Sequence, residues 1–187
     1  MSNILFLDIE TTGFSTDWDF ILEIAAEIVS DTGHVVGQFH ELIRPGKPIP
    51  MKIVELTGIT NAQVADCRSE RDVLRDFGEW VATHPCAKVV GHNCKTFDLR
   101  FIRERCAKYG LWWDISDMEI VDTLALARQY KKSGKLNVPN LQQPTIAEYF
   151  GIEYEAHTAI EDIHALEKIY KMFVKLGQPV TRESLGF

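Results

Sequence analysis

Asp8 and Glu10 close the short apolar segment NILFLDIE, two residues apart. In an extended strand that spacing puts both carboxyls on one face. The segment FDLRFIRERCAKY has helical periodicity, with Phe97, Phe101, Ile102, Cys106 and Tyr109 on one side and Asp98 near the middle of that side. In the last helical stretch, which opens with HTAIED, Ala159, Ile163, Leu166, Tyr170, Phe173 and Val174 share a face at 100° per residue. Asp162 points to the edge of that face and Glu161 toward solvent. His157 projects away from it, which places it in the preceding loop or first turn.

Each acid alone has an ordinary explanation. An Asp at a strand end forms turns, and an inward Asp on a helix is a cap or half of a buried ion pair. The coincidence of four, with no matching set of buried bases, is harder to explain. Gathered in one pocket, four carboxylates raise each other's pKa. Hard divalent cations resolve that conflict, and an all-oxygen ligand set suits Mg²⁺ or Mn²⁺. Two such ions about 3.5–4 Å apart serve in-line phosphoryl displacement, and a nearby His can take the proton of the attacking water. These residues therefore point to a metal-dependent phosphodiester hydrolase, without giving polarity or substrate.

The elements that must position them read as an α/β arrangement. NILFLDIE is a central strand. EIAAEIVS and HVVGQFHELI, separated by DTG, form an antiparallel hairpin. RPGKPIP is a loop. SERDVLRDFGEWVATH is a helix capped by Ser69, AKVVGHN a short buried strand, and TFDLRFIRERCAKYG a helix closed by Gly110. MEIVDTLALARQY is a strand followed by a helix, with Asp122 at the cap. TIAEYFG is a short helix, and the last helix runs to about Gly177. A meander of strands followed by alternation with helices predicts a mixed sheet.

With 187 residues, the chain suits one well-packed domain. The net charge of −7 argues against a large non-specific nucleic-acid surface, while leaving room for an acidic metal site. Three basic clusters, RPGKPIPMK, RFIRERCAK and RQYKKSGK, read first as solvated faces. Cys67, Cys86, Cys94 and Cys106 lack CxxC spacing and read as reduced, mostly buried thiols. No run is apolar enough for a membrane span, and MSNILFLDIE does not resemble a signal peptide. The expected address is cytoplasmic, with no membrane partner.

FLDIETTG, VVGHNCKTFDLRFI, VDTLALAR and HTAIED resemble, in order and spacing, the motifs of DnaQ-like DEDDh 3′–5′ exonucleases of the DNA polymerase III proofreading-subunit type. VELTGIT at 54–60 resembles the linker between the first two motifs. The resemblance spans roughly residues 3 to 175. It implies an α/β, RNase H-like fold with a five-stranded mixed sheet flanked by helices. Residues 1–176 would form the exonuclease domain, with 177–187 a tail of unknown role. It implies two divalent cations, Mg²⁺ or Mn²⁺, held by Asp8, Glu10, Asp98 and Asp162. Asp8 would bridge both ions, and His157 would be the general base. Around the 3′-terminal nucleotide it implies the backbone of Thr11, Thr12 and Gly13, with Gly13 turning the chain sharply. Phe14 would wedge against base or sugar, and Asn93 would support substrate or the second motif. Asp122 reads as structural. Phe14 stands where an aliphatic residue is commoner, and Cys94 and Lys95 where small or neutral ones are. The implied substrate is the 3′ end of single-stranded or frayed DNA, favoured over RNA, with a polymerase or processing complex as partner. The same chemistry on RNA, end-trimming in a larger machine and a non-catalytic binding module are the alternatives.

Overall fold

The computed structural model describes residues 3–153 and 159–178. Its centre is strand β1 (Ile4–Thr11). The antiparallel meander adds β2 (Ile21–Val29) and β3 (Val35–Arg44) on one side. Gly33, at φ 83°, makes the β2–β3 turn that DTG signals. On the other side lie β5 (Lys88–Gly91) and β6 (Glu119–Asp122), both parallel. The sheet has six strands rather than the expected five, in the order β4-β3-β2-β1-β5-β6. The addition is β4 (Arg68–Ser69), which pairs in parallel with Ile43 and Arg44. Two residues carry no periodicity, and Ser69 also caps the next helix, so the strand is hidden beneath the cap signal.

Seven helices are described. They are α1 (Met51–Thr57), α2 (Asn61–Val64), α3 (Glu70–Thr83), α4 (Asp98–Lys108), α5 (Thr123–Lys132), α6 (Gln143–Tyr149) and α7 (Ala159–Gly177). Ser69 accepts the Asp72 N–H at the start of α3, and Gly110, at φ 65°, follows the end of α4. Helices α1 and α2 are additions to the sequence reading. The first has Met51 and Leu56 exposed, so its apolar residues do not line one buried stripe. The second is a single turn held by a Thr60–Gln63 capping box.

Alternation along β1 sends its side chains to two different layers. Leu5, Leu7 and Ile9 pack with Val73, Leu74 and Phe77 of α3 and Phe101, Ile102 and Cys106 of α4. Phe6 faces the opposite way, with Ala25 and Val90, against Ala159, Ile163 and Leu166 of α7. Full burial of such side chains contributes about 1.5–3 kcal/mol each. Asp8 and Glu10 follow Phe6 on the α7 face, so the register that buries Leu5 and Leu7 dictates where the two acids point. The projection of α7 needs one correction. Val174 is 45% exposed, and Ile169 and Phe173 face α6 instead, together with Ile146 and Ala147. Beyond the sheet edge α7 meets a second helix, which rotates its buried stripe.

Cys94 and Cys106 are buried and Cys67 and Cys86 half-buried, all as free thiols. None of the described helices is long and apolar enough to cross a membrane.

Candidate active site

Strand β5 pairs with β1 only as far as Phe6. Beyond that point the β1 edge on this side lacks a strand partner. The Ile9 N–H is met there by the Oδ1 of Asp98, at 3.1 Å. Asp98 is the first residue of α4, where the helix dipole favours an anion, and is only 3% exposed. Two features deliver it to this place. Gly91 ends β5 against the Leu7 carbonyl, where an added Cβ would collide with Cys94. Asn93 then takes a left-handed turn, φ 65°, that reverses the chain into α4.

Asp122 organises that turn. It caps α5 by accepting the N–H groups of Leu124 and Ala125, as expected. It also accepts the N–H groups of Asn93 and Lys95, at 3.0 and 3.3 Å. The Asn93 side chain accepts a bond from the Thr96 hydroxyl at 2.7 Å. Asn93 is therefore a turn residue at the second motif, and it also lines a cleft of about 610 Å³ with Leu56, His92, Leu124 and the 141–144 segment.

The acids share one electrostatic field. Burial, then the charges of Asp98, Glu10, Asp162 and Glu23, hold the Asp8 carboxyl well above its ordinary range. Burial, then Glu23, Asp162 and Asp98, push Glu10 up to about 7. Burial also raises Asp98 to about 7, against the pull of its own and the Ile9 N–H. Asp162 in the first turn of α7 thus acts on both β1 acids, while Glu161 lies beside His164 at 3.7 Å. His157 lies outside the described residues.

Among the described residues, no three carboxyl, imidazole or thiol groups close into a ready-made ligand shell. The donor chemistry nevertheless fits hard divalent cations. The donors are all carboxylate oxygens, and their mutual repulsion is what a cation would neutralise. Among the described residues the one buried Lys or Arg is Arg105, and it is already occupied by Glu70.

The loop after β1 differs in detail from its expected role. Thr11 donates to the Gly13 carbonyl at 2.6 Å. Thr12 donates to Asp19 and accepts the Phe20 N–H. Both hydroxyls therefore shape the loop itself. Gly13 does not use a positive φ; a side chain there would strike the Asp19 carboxylate at 2.5 Å. Lys47 bridges to Asp19 at 2.5 Å, and Arg105 and Lys108 donate to the Thr16 carbonyl. Members of two basic clusters are thus internal fasteners of this loop. Phe14 is 85% exposed and sits edge-on to Phe97, 6.1 Å between ring centroids. It lines a second cleft, of about 380 Å³, with Lys52, Ile53, Glu55 and Leu56 of α1.

Two site neighbours, Glu23 and Gln143, escaped the sequence reading, and a third, Asp122, was read there only as a helix cap. Glu23 sits opposite Glu10 in the β1–β2 register and contacts His40 at 2.6 Å. Its signal was the Glu-x-Ala-x-Glu alternation of β2, which shares the face of Asp8 and Glu10. Asp122 carried a cap signal that concealed its second role. Gln143 donates to the Asp162 carbonyl and carboxylate, at 2.9 and 3.3 Å; at a sequence separation of 19, no local pattern foretells it.

Six strands, flanking helices and acids converging on the end of the central strand define an α/β protein of the RNase H-like class. Structures of Escherichia coli exonuclease I share this fold. The one in complex with a dT13 oligonucleotide superposes with a TM-score of 0.80 at 22% identity, covering 93% of this chain and 41% of that one. Residues 5–170 match the exonuclease family model RNase_T. The chain is 34% identical over 172 residues to the PolC-type DNA polymerase III of Pediococcus pentosaceus, covering 90% of this chain and 11% of that protein. It is 35% identical over 159 residues to the Bacillus subtilis counterpart, covering 84% and 10%. It therefore spans about a tenth of the length of the curated relatives it matches. The chain belongs to the DnaQ-like 3′–5′ exonuclease family.

Proposed function

We propose that this protein hydrolyses phosphodiester bonds from the 3′ ends of single-stranded or frayed DNA, releasing nucleoside monophosphates. The observation that carries the reading is the meeting of Asp98 from α4 with the Asp8–Glu10 end of β1, within the field of Asp162 from α7. Family membership gives the reaction class. DNA as substrate is supported by the dT13 oligonucleotide bound to exonuclease I and by the DNA polymerase identity of the relatives.

In this reading Asp8, Glu10, Asp98 and Asp162 would hold two Mg²⁺ or Mn²⁺ ions. Such ions would supply, when bound, a lowered pKa for the attacking water and charge stabilisation for the leaving oxygen. His157 accepts the proton of that water. The loop of Thr11, Thr12 and Gly13 presents its backbone to the terminal nucleotide. Phe14, unburied and already beside Phe97, offers a ring for a base to stack on, which needs no sequence readout. Asn93 shapes the second motif from beneath. Residues 1–176 constitute the exonuclease domain, and 177–187 a tail. A polymerase or processing complex in the cytoplasm is the setting that the relatives suggest.

The test is a panel of 5′-labelled single-stranded DNA, single-stranded RNA and duplexes with mispaired 3′ ends, incubated with Mg²⁺ or Mn²⁺ and with EDTA. A metal-dependent ladder shortening from the 3′ end, faster on DNA, is expected. A faster ladder on RNA transfers the activity to RNA, and no cleavage of any substrate overturns the reading.

A further inference from the structure

We propose that Gln143 is a positioning residue for Asp162, a neutral clamp that keeps this carboxylate turned toward the metal site. The inference rests on the nuclease reading above and assigns a role to a residue outside the four acids.

Helix α6 begins at Gln143, with Pro144 in its first turn, and its N-cap Gln142 makes no side-chain cap bond. The Gln143 amide does not serve its own helix. It crosses to the first turn of α7, where Nε2 donates to both the backbone carbonyl and the Oδ1 of Asp162. One amide nitrogen has two hydrogens, so backbone and carboxylate can be held together. That double contact relates the Asp162 side chain to its own helix axis.

The need for such a clamp follows from the charges. Asp162 is only half-buried and repels Asp8 and Glu10. Repulsion pushes the Asp162 carboxylate away from Asp8 and Glu10, and a donor that ties it to the start of its own helix opposes that push. A Lys or Arg at position 143 would restrain it by pairing, but would also neutralise charge that a cation requires. An amide donor orients the carboxylate and leaves its charge available, as outer hydrogen-bond partners of metal ligands do.

The approach of Gln143 is set independently of the clamp. His92 Nε2 donates to the Leu141 carbonyl at 2.9 Å, fixing the segment that leads into α6 to the end of β5. Ile146 and Ala147 of α6 are buried against Ile169 and Phe173 of α7. Helix docking therefore does not depend on the amide, and its removal should leave the fold intact.

Mn²⁺ binding to the full chain without nucleic acid, followed by the EPR signal of free Mn²⁺, separates the possibilities. Gln143→Leu retains an apolar stem and removes both donors. It should bind Mn²⁺ roughly 10-fold more weakly, with an unchanged melting temperature in EDTA. Gln143→Lys should bind more weakly still, because the new charge pairs with Asp162. If Gln143→Leu and Gln143→Lys both bind Mn²⁺ as the parent does, the clamp is refuted while the nuclease reading stands. A loss of affinity that matches a loss of folded protein in both variants would show a packing role and also refute it. If the parent itself takes up no Mn²⁺, the nuclease reading fails first and the clamp with it.

Discussion

The Oδ1 of Asp98 lies 3.1 Å from the backbone nitrogen of Ile9, the residue between Asp8 and Glu10. A side chain from a helix thus completes the hydrogen bonding of a strand edge that β5 has left. The same carboxylate is a structural acceptor and a member of the acid cluster, and substitutions can separate the two functions. Asp98→Asn keeps an acceptor for the Ile9 N–H and removes the charge. It should fold normally and lose nuclease activity. Asp98→Ala also strands a buried N–H, at a further cost of about 1–3 kcal/mol. Urea denaturation in EDTA, run beside the cleavage assay, should rank the two variants in that order. Equal stability of Asn and Ala variants would argue against the Ile9 bond.

Metal-free protein should become less stable as pH rises toward neutrality. Glu10 and Asp98 are raised to about 7 and Asp8 well above its ordinary value, so the folded state retains protons that the unfolded chain releases. The stabilisation is fully present below the ordinary carboxylate range and is lost as pH rises through about 7. In EDTA the melting temperature should therefore be higher near pH 5.5 than near pH 8. Mn²⁺ should erase much of the difference by neutralising the ionised acids. A flat profile in EDTA would argue against the burial and mutual repulsion that raise Asp8, Glu10 and Asp98.

Glu70 should be among the acids most important for stability, although it is not one of the four. It is 2% exposed, accepts Arg105 at 2.5 Å and the Tyr109 hydroxyl at 2.8 Å, and takes the Ile21 N–H. Arg105 meanwhile stacks 4.5 Å from the Phe20 ring and donates to Thr16. Glu70→Ala leaves a buried guanidinium without its counter-charge, at about 3–5 kcal/mol. The loop from Thr12 to Phe20 should loosen with it. Denaturant midpoints and amide exchange of that loop would measure both effects.

Phe14→Ala should be silent in stability and costly in DNA binding. The ring is almost wholly exposed, so its removal leaves no cavity. If a base stacks on it, single-stranded DNA affinity should fall by about 1–3 kcal/mol. Fluorescence anisotropy in Ca²⁺ would report binding without turnover. An unchanged Kd would remove Phe14 from the nucleotide site.

Neighbouring acids on α7 should behave oppositely. Asp162→Ala should abolish cleavage, whereas Glu161→Ala, whose side chain is about half exposed beside His164, should be nearly silent. Comparable losses from both would mean that the helix presents a different face to the site.

The local patterns in the chain were sufficient for much of this molecule. Period-two alternation placed Asp8 and Glu10 on one face of a strand, and helical periodicity separated Asp162 from Glu161. Ser69, Gly110 and Asp122 marked helix ends because capping is a contact between near neighbours. The motif order named the family that the exonuclease match covers from residue 5 to 170. What remained hidden depends on partners distant in sequence. Strand β4 exists only because Ile43 and Arg44 lie beside it. Gly13 is required by Asp19 rather than by its own φ, and Arg105 became a loop fastener rather than a solvated base. Glu23 joined the acid field through the β1–β2 register. Periodicity specifies which way a side chain points from its own element; what it meets there is decided by packing that element against the others.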